Sequence, residues 1–380
     1  MQNQKNHFQL DESITYLNGA YMSPMLRSVE SMGRKGLEAK RNPFNIAPKD
    51  FFTDVDILQK EYAKLIGVKE SKRVVIMPSV SYGIATAANN ISLQKDEKIL
   101  IVGEQFPSNY YTWEKVARKQ GAKIVIVESP STLENRGKIW NERILEAIDS
   151  KTKVVTLGNI HWADGTKFDL VAIRKRTREV GALLVIDGTQ SVGVMPFNIT
   201  KIQPDALICS GYKWLLGPYS MALGYFGEAF DGGDPIEESW MNRFESENFA
   251  NLVSYQSNYQ PFAQRYQVGE ASNFVSVPMM TEAVRTLNNW GSDNIQNYCC
   301  EITKNATEIL QNKGFWVEDL AFRSSHLFGI RLPERLKMES IKSKLAEAKI
   351  IVSIRGNAIR ISPNVYNDKS DLEKLVEVLS

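Results

Sequence analysis

Two residues set the chemistry open to this sequence. Asp187 closes the apolar run Leu183-Leu184-Val185-Ile186. A carboxylate at the end of such a strand is costly to bury unless something cationic faces it. Lys213 follows 26 residues later, in Cys209-Ser210-Gly211-Tyr212-Lys213-Trp214-Leu215-Leu216, directly after the next apolar run. A lysine among aromatic and apolar neighbours is desolvated. Its ordinary pKa of about 10.4 is drawn downward, and the neutral amine becomes a nucleophile toward an aldehyde. The other reading of the pair is a salt bridge at a strand edge.

Further candidates stand at the ends of other apolar runs. Val74 to Met77 leads into Pro78-Ser79-Val80-Ser81-Tyr82-Gly83 and a helical stretch from Ile84 to Asn90. Small hydroxyl residues and a glycine at a helix start leave backbone N–H groups free for a phosphate, although plain N-capping by Ser79 or Ser81 explains them equally. Phe106 follows Ile99 to Val102, where it can stack on a planar ligand or act as a core or lid residue. His161 and Trp162 follow Val154 to Leu157, and His161 is one of three histidines, a base or hydrogen-bond partner. The three cysteines, Cys209, Cys299 and Cys300, form neither a disulfide framework nor a zinc spacing and read as small apolar fillers.

The elements that must position these residues alternate. From Glu70 to Phe226, short apolar runs separated by amphipathic stretches predict an α/β fold around a mainly parallel sheet. Strands are expected at Val74 to Met77, Ile99 to Val102, Ile124 to Val127, Val154 to Leu157, Leu183 to Ile186 and Ala206 to Cys209, with helices such as Tyr111 to Gln120 and Leu170 to Val180 between them. Met221 to Phe226 follows too soon for a helical crossover and is expected to run antiparallel. In such sheets ligands bind outside the carboxyl ends of the strands, where every candidate above lies. After an aromatic and polar stretch through Tyr266, a small α+β domain is expected. It has a long helix from Thr281 to Lys313 broken near Gly291, strands at Leu327 to Leu332, Ile350 to Ile354 and Ala358 to Ile361, and helices at Met338 to Ala348 and Lys369 to Leu379. We place a large domain at 16–279 and a small one at 1–15 with 280–380.

The chain of 380 residues has room for both cores, and 46 Lys and Arg against 44 Asp and Glu give no electrostatic reason to invoke nucleic acid or an anionic membrane. A polar start and no apolar run of spanning length predict a cytoplasmic protein.

The combined motifs resemble the class V aminotransferases of the fold type I pyridoxal-phosphate enzymes, a family that includes cysteine desulfurases, selenocysteine lyases, kynureninases and isopenicillin N epimerase. Asp187-Gly188-Thr189-Gln190 followed by Ser210-Gly211-Tyr212-Lys213 carries most of the likeness. Tyr16-Leu17-Asn18-Gly19-Ala20 and Arg360-Ile361-Ser362, continuing to Tyr366-Asn367, carry its two ends. The resemblance implies a seven-stranded, mainly parallel sheet flanked by helices, with a smaller α+β C-terminal domain, and pyridoxal 5'-phosphate as cofactor. It implies that Lys213 forms the Schiff base and then shuttles the Cα proton, and that Asp187 pairs with the ring nitrogen. Gln190 would meet the phenolic oxygen and Phe106 the ring face. Ser81, Tyr82, Ser210 and Tyr212 would hold the phosphate, and Arg360, Asn18 and Gly19 would bind a small amino-acid substrate, the arginine gripping its carboxylate. The segment Arg265 to Glu270 resembles one that reaches the neighbouring subunit's phosphate, implying a homodimer with shared active sites. Glu270 stands where many relatives have Thr and would repel a phosphate, so Ser272 or Asn273 is expected to make that contact. Trp162 stands where several relatives place Asn, and its indole donates one hydrogen bond and accepts none. His161 beside it is kept as a cofactor-site candidate.

Cysteine desulfurases and selenocysteine lyases of the family carry a nucleophilic cysteine in the loop before the Arg360 position, and no cysteine lies between Ile341 and Arg360. A persulfide-forming desulfurase is therefore disfavoured, the residues do not decide among the remaining reactions, and the breadth of the family it resembles favours an aminotransferase, followed by a Cβ–S or Cβ–C lyase and then an amino-acid epimerase. A dehydrogenase is disfavoured by the absence of G-x-G-x-x-G and of a P-loop. A cofactor-binding but non-catalytic relative would have no need of a proton-shuttling lysine.

Overall fold

The computed structural model describes residues 1–380. The chain opens with β1 (Thr15–Tyr16), α1 (Arg27–Ala39) and α2 (Asp50–Ile66), which lie ahead of the alternating pattern read from the sequence. The alternating region follows as β2 (Val74–Met77), α3 (Val80–Asn89), β3 (Lys98–Val102), α4 (Pro107–Gln120), β4 (Lys123–Val127), α5 (Arg136–Ala147), β5 (Thr152–Gly158), α6 (Leu170–Val180), β6 (Leu183–Asp187), α7 (Ile199–Ile202), β7 (Ala206–Ser210) and β8 (Ala222–Phe226). These strands form one seven-stranded sheet in the order β2-β8-β7-β6-β5-β3-β4. All pairings within β3 to β7 are parallel, and β8 alone runs against its two neighbours. Every residue of β7 is buried, and β6 and β5 are nearly so, because helices cover both faces.

Local sequence explains how the flanking helices stop and start. α2, α4 and α6 end on Gly67, Gly121 and Gly181, each left-handed with φ of 73°, 75° and 72°. α3 starts at Val80, four residues before the helical stretch expected at Ile84. Ser79 caps it, its Oγ accepting from Tyr82 N at 3.2 Å, and Gly83 is absorbed into the first turn rather than delaying it. That glycine is required by contact: a Cβ there would stand 2.6 Å from Ile208 Cγ2 and 2.8 Å from Met77 Sδ.

The C-terminal part comprises α8 (Ser276–Trp290), α9 (Ser292–Asn312), β9 (Trp316–Val317), β10 (Phe328–Arg331), α10 (Met338–Glu347), β11 (Ile350–Ile351), β12 (Ser353–Arg355), β13 (Ala358–Ile361) and α11 (Lys369–Leu379). Gly291, at φ 77°, divides α8 from α9 where the break was expected. The single strand expected over Ile350 to Ile354 is two. β11 pairs in parallel with β1 through Thr15 and Tyr16, and β12 turns away to pair antiparallel with β13. β12, β13, β10 and β9 form a four-stranded antiparallel sheet. Asp368 and Asp371 form the capping box that starts α11.

Three apolar cores result. α8 packs on α1 and α2 and sends Val277, Met280, Val284 and Leu287 into the core on one face of the large sheet, while α3 and α4 cover the other face. The third core joins α9, α10 and α11 to the small sheet and takes in Leu17 from the N-terminus. No helix is long and apolar enough to cross a membrane.

Candidate active site

A cavity of about 340 Å³ opens at the carboxyl ends of the large sheet's strands. Its walls are the residues just beyond each strand end. β2 and the start of α3 give Ser79 and Ser81, β3 gives Gln105 and Phe106, and β5 gives Trp162. Asp187, Thr189 and Gln190 come from β6, Ser210, Tyr212 and Lys213 from β7, and Tyr219 from the turn before β8.

Asp187 and Lys213 face this space without an ion pair between them, so the strand-edge salt bridge is not what the fold builds. The Asp187 carboxylate accepts from Thr189 N at 3.0 Å. Burial raises its pKa, opposed by the Thr189 hydrogen bonds and the charge of Lys213. Lys213 is 8 % exposed, and burial pulls its amine down to about 8, against the attraction of Asp187 and with the help of the Arg360 and Arg355 charges. Its Nζ stands 5.6 Å from the Phe106 ring centroid and 5.5 Å from that of Tyr212. At neutral pH the amine thus has an accessible neutral form beside a carboxylate that lacks a partner cation.

A second set of polar groups lines the same cavity. Ser79 Oγ and Ser81 Oγ lie 2.9 Å apart at the N-terminus of α3, whose first backbone N–H groups carry partial positive charge. Ser210 Oγ is buried with no hydrogen-bond partner. Ser210 N donates to Thr189 Oγ1 at 3.2 Å, which ties the end of β7 to the residue that holds Asp187.

Most of the other candidates are engaged by protein partners. Gln190 lines the cavity with its amide partly engaged: Nε2 donates one hydrogen to Ala20 O at 3.2 Å and Oε1 accepts from Trp214 Nε1 at 2.8 Å. Tyr82 points its hydroxyl to Glu237 Oε1 at 3.1 Å, outside the cavity. Trp162 forms a wall, edge-on to Phe106 at 5.4 Å, and its indole donates to Glu104 O at 2.7 Å. His161 lies beneath, buried, with Nδ1 3.2 Å from Asp164 Oδ1 and Nε2 3.3 Å from Gly103 O. It orders the loop and does not reach the cavity. Arg360 is 1 % exposed and donates through Nη1 to Trp162 O at 2.8 Å. Burial and then the Arg355 charge draw its pKa down to about 9. Asn18 Oδ1 accepts from Ser353 Oγ at 2.8 Å, and Gly19 N donates to Ser362 O at 3.0 Å, which docks the N-terminal segment beside Arg360. Ser272 and Asn273 lie outside this cavity. Asn273 Oδ1 accepts from Ser276 N at 2.8 Å at the start of α8.

A sequence model described as Aminotransferase class-V matches residues 47–375. The chain belongs to the class-V aminotransferase family. That membership makes it a pyridoxal-phosphate-dependent enzyme of fold type I. Among its relatives, the uncharacterized aminotransferase YcbU of Bacillus subtilis (strain 168) is 25 % identical over 87 % of this chain and 85 % of its own length. A probable cysteine desulfurase of Pyrococcus abyssi (strain GE5 / Orsay) is 24 % identical over 75 % of this chain and 72 % of its own. Among solved structures, C-DES, in a lysine-to-alanine variant with glycine covalently linked to its PLP cofactor, has a TM-score of 0.88 at 17 % identity, covering 99 % of this chain and 98 % of that one. The residues present fit the family's cofactor. Asp187 lacks a cation, Ser210 Oγ lacks a partner, a helix N-terminus lined by serine faces the same space, and a lysine with a lowered pKa lines it too.

Gln105, Thr189, Tyr219 and Arg355 were not singled out from the sequence. Thr189 lies inside the most specific motif and was legible as the residue able to bond Asp187. Gln105 directly precedes Phe106. Arg355 became visible only when β12 and β13 were seen to pair.

Proposed function

We propose that this class-V enzyme is an aminotransferase acting on a small amino acid, with Lys213 as its covalent anchor and its base. Pyridoxal phosphate, when bound, supplies an aldehyde for amine exchange and a protonated ring that draws electrons from the substrate's Cα. The rest is work for this chain's side chains. Lys213 would hold the cofactor through its aldehyde. Its Nζ, which burial shifts down to about 8, would accept a proton from the substrate's Cα and could return it to another carbon. Asp187 would face the ring nitrogen and favour its protonated form, and that cation would offset the cost of burying the carboxylate. Ser79, Ser81, Ser210 and the α3 N-terminus would hold the phosphate, with Tyr212 beside them, and Phe106 would pack on the ring. Gln190 retains one amide hydrogen for the phenolic oxygen. Arg360 takes the substrate carboxylate with its guanidinium fork.

The observation that carries the reading is the convergence of Asp187 and Lys213, unpaired, on one cavity with no thiol in its wall. Forming a persulfide on the protein requires a thiolate, so the lack of one in the wall disfavours a desulfurase. Cys209 is buried, and burial followed by the nearby Asp187 charge drives its thiol well above its ordinary pKa. Cys299 and Cys300 sit on α9.

A homodimer belongs to the same proposal. Tyr219, 65 % exposed, lines the cavity, and Tyr21, 57 % exposed, lies near Tyr212, whose backbone O accepts from Ser23 N at 3.2 Å. An apolar rim of this kind is suited to cover by a second copy, whose Ser272 and Asn273 segment would complete the phosphate site. The reaction is tested by mixing holoenzyme with single amino acids. Transfer converts the cofactor to its pyridoxamine form with a stoichiometric oxo acid. Release of ammonia or sulfide with the cofactor spectrum unchanged would assign a lyase instead.

A further inference from the structure

The hairpin of β12 and β13 presents two arginines to one side. Ser353 pairs with Arg360 and Arg355 with Ala358, and residues paired across antiparallel strands project from the same face. Ile359 and Ile361 project the other way, into the small domain's core. Arg355 and Arg360 are therefore diagonal neighbours on the face turned to Trp162, within reach of one another for long side chains by the ordinary geometry of such pairs.

Neither has a counter-charge. Arg360 donates to Trp162 O at 2.8 Å and to Ser353 Oγ at 3.3 Å, and its Nε–H is buried and unpartnered. Arg355 donates to Ile354 O at 2.9 Å, its Nε–H is likewise buried and unpartnered, and its guanidinium carbon lies 5.6 Å from the Trp162 ring centroid. Three other sheltered arginines meet carboxylates, Arg136 with Asp164 at 2.8 Å, Arg174 with Asp205 at 2.8 Å and Arg73 with Asp231 at 2.8 Å, whereas buried Arg323 donates to the backbone oxygens of Glu318 and Ser324. Both unpaired arginines depress Lys213, so their field reaches the reacting amine. Trp162 connects them to the cavity it lines. Two adjacent guanidinium groups without an anion repel one another, and a single carboxylate satisfies one of them.

We propose that Arg355 binds a second acidic group, so that the substrate is a short amino acid whose side chain ends in an anion, while Arg360 holds its α-carboxylate. The proposal rests on the reading of Arg360 given under the proposed function. Trp162 serves as the flat partner that keeps the Arg355 guanidinium aligned toward the cavity.

Calorimetric titration of the holoenzyme with the unreactive dicarboxylates succinate and glutarate, and with butanoate, tests it. One of the two diacids is expected to bind about 10- to 100-fold more tightly than butanoate, the worth of a hydrogen-bonded charge pair. Arg355→Met should abolish that difference, and Arg355→Lys should restore part of it. The ratio of kcat/KM for L-aspartate or L-glutamate to that for L-alanine should fall in Arg355→Met by a similar factor. Equal binding of the diacids and butanoate by the parent enzyme, or a diacid preference that persists in Arg355→Met, would overturn the proposal. The cofactor's absorbance, recorded in the same samples, separates this outcome from a failure of the cofactor site: a normal spectrum with no diacid preference rejects only the role of Arg355.

Discussion

Asp187 is a buried carboxylate whose cost depends on what faces it. Its folded pKa lies above the unfolded value, so in the cofactor-free protein its contribution to stability is fully present below the unfolded pKa and is lost as pH rises through the folded pKa. Asp187→Asn is therefore expected to raise the Tm of cofactor-free protein at pH 7.5, on the order of 2 °C. In the holoenzyme the same change should lower kcat by about 100-fold or more, by loss of the charge that holds the ring proton. Calorimetric melts of both forms check the first effect and steady-state rates the second. Lys213 gives the complementary test. With its amine near 8, capture of cofactor by apo-protein should accelerate as pH rises and level off above that value, because only the neutral amine attacks an aldehyde. Stopped-flow absorbance measures this, and a rate independent of pH between 6 and 9 would be inconsistent with it. Both residues were legible in the sequence, since each ends or follows an apolar run. What the sequence left open was whether they neutralise each other.

At the scale of elements, the phosphate end of the site depends on how closely α3 lies on the sheet. Gly83→Val would thrust side-chain atoms against Ile208 and Met77 and lift the helix. A loss of about 1–3 kcal/mol of stability and at least a tenfold weaker cofactor Kd are expected, by denaturant titration and fluorescence titration. The loop after β5 depends on Asp164. Burial alone would raise its pKa, but the His161 imidazole and the Arg136 guanidinium outweigh that and hold it below the ordinary carboxylate range. Its contribution is present above the unfolded pKa and is lost as pH falls toward the folded value. Asp164→Asn leaves Arg136 buried without a counter-charge and should cost about 3–5 kcal/mol, with the Trp162 wall loosened. Strands of the large sheet were readable because central parallel strands are continuous apolar runs. The division of β11 from β12 was not, because the partner that stops β11 is β1, far away in the chain. Arg355 was hidden for the same reason: its proximity to Arg360 is a property of hairpin register.

Across the whole molecule, the fold brings residues from six strand ends to one cavity and sets a small-domain hairpin against its Trp162 wall, and the last of these was beyond what periodicity could reveal. Charge balance and composition are legible in the sequence, whereas an apolar rim at the cavity mouth exists only after folding. If a second copy covers that rim, Tyr21→Glu with Tyr219→Glu should shift the protein from dimer to monomer in sedimentation velocity and weaken cofactor binding about tenfold or more. A parent protein that sediments as a monomer at micromolar concentration would remove the dimer from the proposal. The central claim is that one lysine of this chain carries the cofactor. Borohydride reduction of the holoenzyme, digestion and peptide mass spectrometry test it most directly. The expected result is a pyridoxyl group on Lys213 and loss of the yellow colour, both absent in Lys213→Ala. A label on another lysine, or none after saturation with pyridoxal phosphate, would contradict it.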